Sequence, residues 1–246
     1  MSKISFENFG YVSGKSKDFT ISASRYLHQK QYEQKILSSI MNRLSINKED
    51  EVLDVGCNVG THIIPLYFFV KEIYGIDHKT CLKVLKKRLP EIPSKNLISG
   101  NFLSLKISNK FDKILCYSVL QYLKNDQEVI FFVKKLIKVL KKNGIALLGD
   151  IPNIDLKNSF LKSKVGKKWL KKFNLERKKT VKKNKIESIS YHLKNKKKDK
   201  FLVKINNNLI QRMIGEIKKR GFKVRRIKQP AHFLYGPTRE DIIIYK

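Results

Sequence analysis

Hydrophobic and polar positions alternate along this chain with two periods, one helical and one extended. Tyr26, Ile36, Leu37, Ile40, Met41 and Leu44 recur at roughly helical spacing and predict a mixed loop followed by a helix in residues 1–50. The pattern then tightens to Glu51-Val52-Leu53-Asp54-Val55, a short apolar run that ends in a Gly-containing turn. Runs of that kind mark strands buried on both faces. Further strands are predicted over Glu72–Ile76, Asn96–Ser99, Phe111–Tyr117 and Ile145–Gly149. Helices are predicted over Lys79–Leu89 and Asp126–Lys141, the second stopped by Asn143-Gly144. This rhythm implies an α/β, doubly wound, mostly parallel sheet with helices on both faces.

After residue 150 the rhythm breaks. Residues 155–200 carry 17 Lys and one Arg against four acids, a net +14. A helix is predicted near Ser163–Leu175, then a hairpin pairing Ile189–Leu193 with Phe201–Ile205. Asn206–Asn208 caps a helix that runs to Arg220 and closes at Gly221. Strands Lys223–Ile227 and Asp241–Tyr245, joined through Pro230, Gly236 and Pro237, bring the sheet to seven. The expected plan is one domain: an N-terminal helical lid (1–50), a core (51–150), a basic cap inserted after the fifth strand (151–205), and a last helix with two strands (206–246). In the cap Trp169, Leu170 and Phe173 are expected to dock inward while the lysines stay solvated. A disordered basic loop is the rival reading.

Composition adds bounds. Hydrophobic residues are 41% of the 246, sufficient for one generous core, and no run of about 18 apolar residues suits a membrane span. Met1-Ser2-Lys3-Ile4-Ser5-Phe6 lacks the apolar stretch of a secretory signal. Cys57, Cys81 and Cys116 are too scattered for a disulfide framework or a zinc site, so a cytoplasmic protein without a metal is expected. The net charge of +32 suggests a polyanionic partner, but 44 of the 53 basic residues are Lys and nine are Arg. With abundant Ile and Asn, that profile is the one AT-rich codons produce.

The chemistry concentrates in Val52-Leu53-Asp54-Val55-Gly56-Cys57-Asn58-Val59-Gly60-Thr61, where Gly56 and Gly60 allow a ligand to approach the backbone. Asp77 closes the second strand 17 residues after Gly60, where an acid can accept bonds from both hydroxyls of a ribose. A dinucleotide fingerprint would need glycines at Asn58 and Thr61, which disfavours NAD and FAD. The stretch resembles the class I S-adenosylmethionine-dependent methyltransferases over residues 50–150, and more loosely to the end. The family's acid-x-Gly-x-Gly-x-Gly loop is matched at Asp54, Gly56 and Gly60, with Asn58 in place of the middle glycine. Asn tolerates left-handed backbone better than other non-Gly residues. Gly100-Asn101-Phe102, the strand from Phe111 and the Gly turn before Ile145 follow in the family's order.

The resemblance implies S-adenosylmethionine as cofactor, held by Asp54, Gly56, Cys57, Asn58, Gly60, Asp77, His78, Asn101, Phe102 and Cys116. Each has a plainer role open to it: Asp77 as a helix cap, Asn101 as a turn residue, Cys116 as a small buried hydrophobe. Acceptor-side candidates are Ser118, Gln121, Tyr122 and Asp150, with Asp150 the candidate general base and His192 and His232 its alternatives. No Pro-Cys pair and no Asp/Asn-Pro-Pro-aromatic motif occurs, which counts against methylation of nucleobases. The reading is a methyltransferase acting on oxygen or nitrogen of a small molecule or sugar intermediate. The alternatives are an RNA methyltransferase using the lysines, and a non-catalytic scaffold.

Overall fold

The computed structural model describes residues 10, 13–14, 18–23, 27–183, 203–233 and 235–246. After a one-turn helix α1 (Phe19–Ser22) and a 3-10 turn (Leu27–Tyr32), helix α2 runs over Glu33–Leu44. Then follow β1 (Glu51–Val55), α3 (Ile63–Tyr67), β2 (Glu72–Asp77), α4 (Lys79–Arg88), β3 (Leu97–Ser99), β4 (Phe111–Tyr117), α5 (Asp126–Lys138) and β5 (Leu140–Pro152). Helices α6 (Ile154–Lys162) and α7 (Lys164–Lys183) leave the sheet, and α8 (Asn207–Lys218), β6 (Lys223–Lys228) and β7 (Arg239–Tyr245) complete it.

The seven strands lie in the order β3-β2-β1-β4-β5-β7-β6. All pairings from β3 to β5 are parallel, and β7 runs antiparallel to both β5 and β6. The order reverses between β1 and β4, so a crevice opens at their carboxyl ends, where sheets of this kind bind ligands. Alternation along each central strand divides its side chains between two cores. Leu53, Val55, Ile114, Cys116, Ile242 and Ile244 face α5 and α8, whose Phe132, Val133, Leu136, Ile210 and Met213 are buried against them. Val52, Leu115, Leu147 and Ile243 face α2, α3 and α4 through Ile40, Leu44, Ile63 and Leu85. Both faces of the central strands are dry, as their near-continuous apolar runs require.

Several boundaries differ from the sequence reading. Helix α5 stops at Lys138, not Lys141, and Leu140 onward is strand because Leu140 pairs with Phe111 across an irregular register. Helix α3, with Pro65 inside it, was not foreseen, and neither was α6. The predicted 163–175 helix is the longer α7. Tyr26, His192, strand 189–193 of the expected hairpin and the tip 195–199 lie outside the described residues, while Val203 and Ile205 of its second strand are core residues. No helix among the described residues is long and apolar enough to cross a membrane.

Candidate active site

The turn leaving β1 is built on three left-handed residues: Gly56 at φ 82°, Asn58 at 51° and Gly60 at 104°. A Cβ on Gly56 would come within 2.5 Å of Val119 Cγ2, and one on Gly60 within 2.5 Å of Ile64 Cδ1. Only glycine fits either place. Asn58 manages the third left-handed position by folding its amide back: its Oδ1 accepts the Val59 N–H at 2.7 Å and its Nδ2 donates to the Ser22 carbonyl at 2.8 Å. The turn is locked to β2 by Asp77. One carboxylate oxygen accepts the Asn58 N–H at 2.8 Å, the other the His78 N–H at 2.6 Å. Burial raises the Asp77 carboxyl above its ordinary range, partly offset by those two bonds.

Asp54, one residue before the end of β1, is 2% exposed, and its Oδ2 has no hydrogen-bond partner among the described residues. Burial, with the negative charge of Asp77 beside it, pushes its carboxyl up to about 8. A buried unpaired carboxyl oxygen is costly and rare. The thiols of Cys57 and Cys116 are buried and driven upward by desolvation, so neither is a nucleophile.

The N-terminal segment touches this turn directly. The Gly10 carbonyl accepts the Thr80 hydroxyl at 2.6 Å, and Arg88 donates to the Val59 carbonyl at 2.7 Å while its guanidinium lies 5.3 Å from the Phe19 ring centroid. His78 caps α4, its ring nitrogen accepting the Thr80 N–H. Asn101 is exposed, and its side-chain oxygen accepts the Leu103 N–H at 3.0 Å in a local turn. Phe102 is a core residue packed 4.8 Å from the Phe132 ring, and Cys116 is sealed within β4.

The acceptor-side candidates gather at the carboxyl ends of β4 and β5. Ser118 and Asp150 both hold left-handed backbone, at φ 60° and 56°, although neither is glycine. Such conformations persist only where surrounding structure fixes them, and they cluster at functional sites. The Ser118 hydroxyl donates to Asp150 Oδ2, and Arg239 Nε stands 3.6 Å from Asp150 Oδ1. The Asp150 N–H donates to Asp241 Oδ1 at 2.8 Å, which Gln229 also reaches at 3.0 Å, and Arg43 pairs with Asp241. Gln121 is buried and donates to the Ser118 carbonyl at 2.9 Å, while Tyr122 sits half-buried in the following turn. His232 is exposed beside Phe233.

Asp150 lines a small cavity with Tyr32, Tyr117, Gln229, Phe233 and Tyr235. Sequence reasoning missed these walls because they come from four separate segments. Val119, against which Gly56 packs, is two residues from Tyr117 of the cavity wall. Over the cavity rim lies a ladder of rings: Phe160 edge-on to Trp169, Trp169 stacked on Phe173 at 5.2 Å, and Phe173 edge-on to Tyr235. Leu170, expected to dock with them, is 37% exposed instead, because the helical turn places it on the flank of α7.

Residues 53–148 match the family described as a methyltransferase domain. The match runs from within β1 to within β5, 96 of the 246 residues. The turn Asp54–Gly60 lies within that match, and S-adenosylmethionine is the cofactor of that family. Among relatives of this methyltransferase domain, a ubiquinone biosynthesis O-methyltransferase of Rickettsia canadensis is 26% identical over 121 residues, 47% of this chain and 49% of that protein. The chain thus spans about half the length of that relative. Its fold matches N-methyltransferase NodS from Bradyrhizobium japonicum WM9 in complex with S-adenosylhomocysteine, with TM-score 0.60 and 12% identity over 97% of this chain and 95% of that one. Magnesium protoporphyrin IX methyltransferase from Synechocystis PCC 6803 with bound S-adenosylhomocysteine is similar, with TM-score 0.57 and 16% identity over 98% and 94%.

Proposed function

We propose that this protein transfers a methyl group from S-adenosylmethionine to an oxygen or nitrogen of a small molecule, sugar or glycan intermediates included. The observation that carries the reading is a left-handed glycine turn at the end of β1 packed on Val119, two residues from Tyr117 in the wall of an aromatic cavity that Asp150 also lines. The named activities of the similar proteins, on ubiquinone precursors by O-methylation and on magnesium protoporphyrin IX, are consistent with a small acceptor.

The chain's own residues fit the cofactor. Gly56 and Gly60 take the left-handed conformations that the turn at the carboxyl end of β1 requires, and Asp77 keeps lone pairs for a ribose hydroxyl after accepting two N–H groups. The unpaired oxygen of Asp54 offers an acceptor to a cationic or N–H group of the ligand. Asn101 stays beside the adenine end only if its turn bond to Leu103 exchanges, and Phe102 and Cys116 support the wall from within the core. When bound, S-adenosylmethionine supplies a methyl on a sulfonium, and transfer needs chiefly an in-line acceptor with its proton removed. Ser118 and Asp150 are placed to hold that acceptor's proton, and Arg239 and Asp241 fix the Asp150 carboxylate and amide. Among the described residues, those of 1–50 and of 151–205 act in this reading as lid and cap over the two halves of the site.

Titration calorimetry of the full chain with S-adenosylhomocysteine tests the cofactor half, and a radiolabelled methyl-transfer screen across hydroxyl- and amine-bearing metabolites tests the acceptor half. Absence of S-adenosylhomocysteine binding refutes the enzyme reading and leaves the scaffold.

A further inference from the structure

Helix α7 carries its lysines in phase. At 3.6 residues per turn, Lys164, Lys167, Lys168, Lys171, Lys172 and Lys178 fall on one face, and all six are exposed. Trp169 and Phe173 occupy the opposite face, held in the ring ladder that ends on Tyr235. Codon bias sets how many lysines a chain has, but it does not set their phase along a helix. The six ammonium groups line about 21 Å of helix, at about 1.5 Å per residue. Glu176 lies off the stripe, and among the described residues no acid pairs with any of the six. Two aliphatic side chains join them: Leu175, within the stripe, is 52% exposed, and Val165, at its edge, is 69% exposed.

We infer that this face of α7 docks the protein on an anionic phospholipid surface. Charge complementarity is the first argument: a straight row of cations with no acid among them fits a plane of headgroup phosphates and carboxylates. The second is the company of Leu175 and Val165, since a basic amphipathic helix with exposed aliphatics seats them at the headgroup boundary. Single-stranded RNA is the poorer fit. Its proteins stack bases on exposed aromatic rings, and here Phe160, Trp169 and Phe173 are engaged with one another. The cations are also lysines, not the forked arginines favoured for phosphate and base recognition. The docking does not depend on which acceptor is methylated.

Flotation of the full chain with vesicles provides the test, using phosphatidylcholine alone and phosphatidylcholine mixed with phosphatidylserine. Because a chain of +32 will adhere to any anionic surface, two triple variants that remove equal charge decide the matter. One, Lys167→Gln, Lys168→Gln and Lys171→Gln, empties the stripe. The other, Lys106→Gln, Lys110→Gln and Lys142→Gln, removes exposed lysines near the amino ends of β4 and β5. Retained S-adenosylhomocysteine binding, or a parent-like melting curve should the parent not bind it, shows that each variant is folded. The proposal expects binding to the serine-containing vesicles only. It expects a loss of about a hundredfold for the stripe variant, at roughly fivefold per lysine, and a loss below about tenfold for the control. Equal losses for the two variants, or no vesicle binding by the parent, overturn it. So does a single-stranded RNA that displaces the protein from vesicles and whose own affinity falls more steeply in the stripe variant.

Discussion

Asp54 and Asp77 show how far single residues decide this site. Asp77 already spends both oxygens on the N–H groups of Asn58 and His78, so it shapes the turn after β1 besides the ribose contact proposed for it. Removing the side chain outright would leave two buried donors unmade, and Asp77→Asn is the cleaner probe. It is expected to lower S-adenosylhomocysteine affinity by roughly tenfold or more, for the loss of charge-assisted bonds of about 1.5–3 kcal/mol, with Tm falling by a few degrees. Calorimetry showing parental affinity would remove the ribose role. Asp54 gives a pH signature. Its carboxyl titrates near 8 in the folded chain and near the ordinary value of about 4 in the unfolded one. Below about 4 both states hold the proton, and between about 4 and about 8 only the folded state does, so this residue's contribution falls as pH rises through that window. Asp54→Asn without cofactor should therefore melt higher than the parent at pH 8 and no higher at pH 4. Each pKa unit relieved corresponds to about 1.4 kcal/mol, or about 3–6 °C for a chain of this size. Parallel melting curves at the two pH values would show that Asp54 stays ionised. Asp150→Asn should leave S-adenosylhomocysteine affinity unchanged and slow turnover with an identified acceptor by about a hundredfold, the lower range for a lost general base. Unchanged turnover would leave Asp150 as a wall of the cavity only.

Elements were legible where hydrophobic period and local chemistry agree. The apolar runs of β1, β4 and β7 and the amphipathic α5 and α8 are visible in the sequence because each buries what its pattern says it buries. The errors have physical causes. Leu140–Lys142 continues the helical spacing of α5, yet pairing with β4 captures it as strand. Helix α6 has no buried residue, so no apolar stripe announces it; it is fixed by Asn153 capping Asp155 and Leu156 and by Asp155 accepting the Asn207 N–H. The left-handed turn after β1 was readable because Gly56, Asn58 and Gly60 are residue types that tolerate positive φ. The cavity was not, since Tyr32, Tyr117, Phe233 and Tyr235 converge only through the sheet order. Trp169, the single tryptophan, reports on α7 directly. Phe173→Ala deletes both the stack on Trp169 and the contact to Tyr235, so it should red-shift the tryptophan emission and speed proteolysis within α7. An unaltered spectrum and digestion pattern would show that α7 does not rest on the ring ladder.

For the whole molecule, +32 on 246 residues is an energetic fact whatever its origin. Several surface ion pairs share one acid, as those of Lys134, Lys219 and Arg220 do around Glu216, and screened pairs of that kind contribute little. Repulsion among the surplus cations is spread over the whole surface and opposes compaction. At about 10 mM salt the screening length is about 30 Å, comparable to the domain, so lysines on opposite faces still repel; at about 150 mM it is about 8 Å, and only neighbours do. Salt should therefore stabilise this protein, the reverse of a fold held by surface ion pairs. The Tm of the ligand-free chain should climb between those two concentrations and level off above them. Substituting Lys167, Lys168 and Lys171 by Gln should raise the Tm at low salt, because these three sit one turn or less apart on a face without acids. At high salt the variant and the parent should melt together. A Tm that falls with added salt would mean that attractive pairs such as Arg226–Glu240 and Arg43–Asp241 outweigh the surplus. A variant no more stable than the parent at low salt would show that the α7 lysines are already far enough apart in solution to ignore one another.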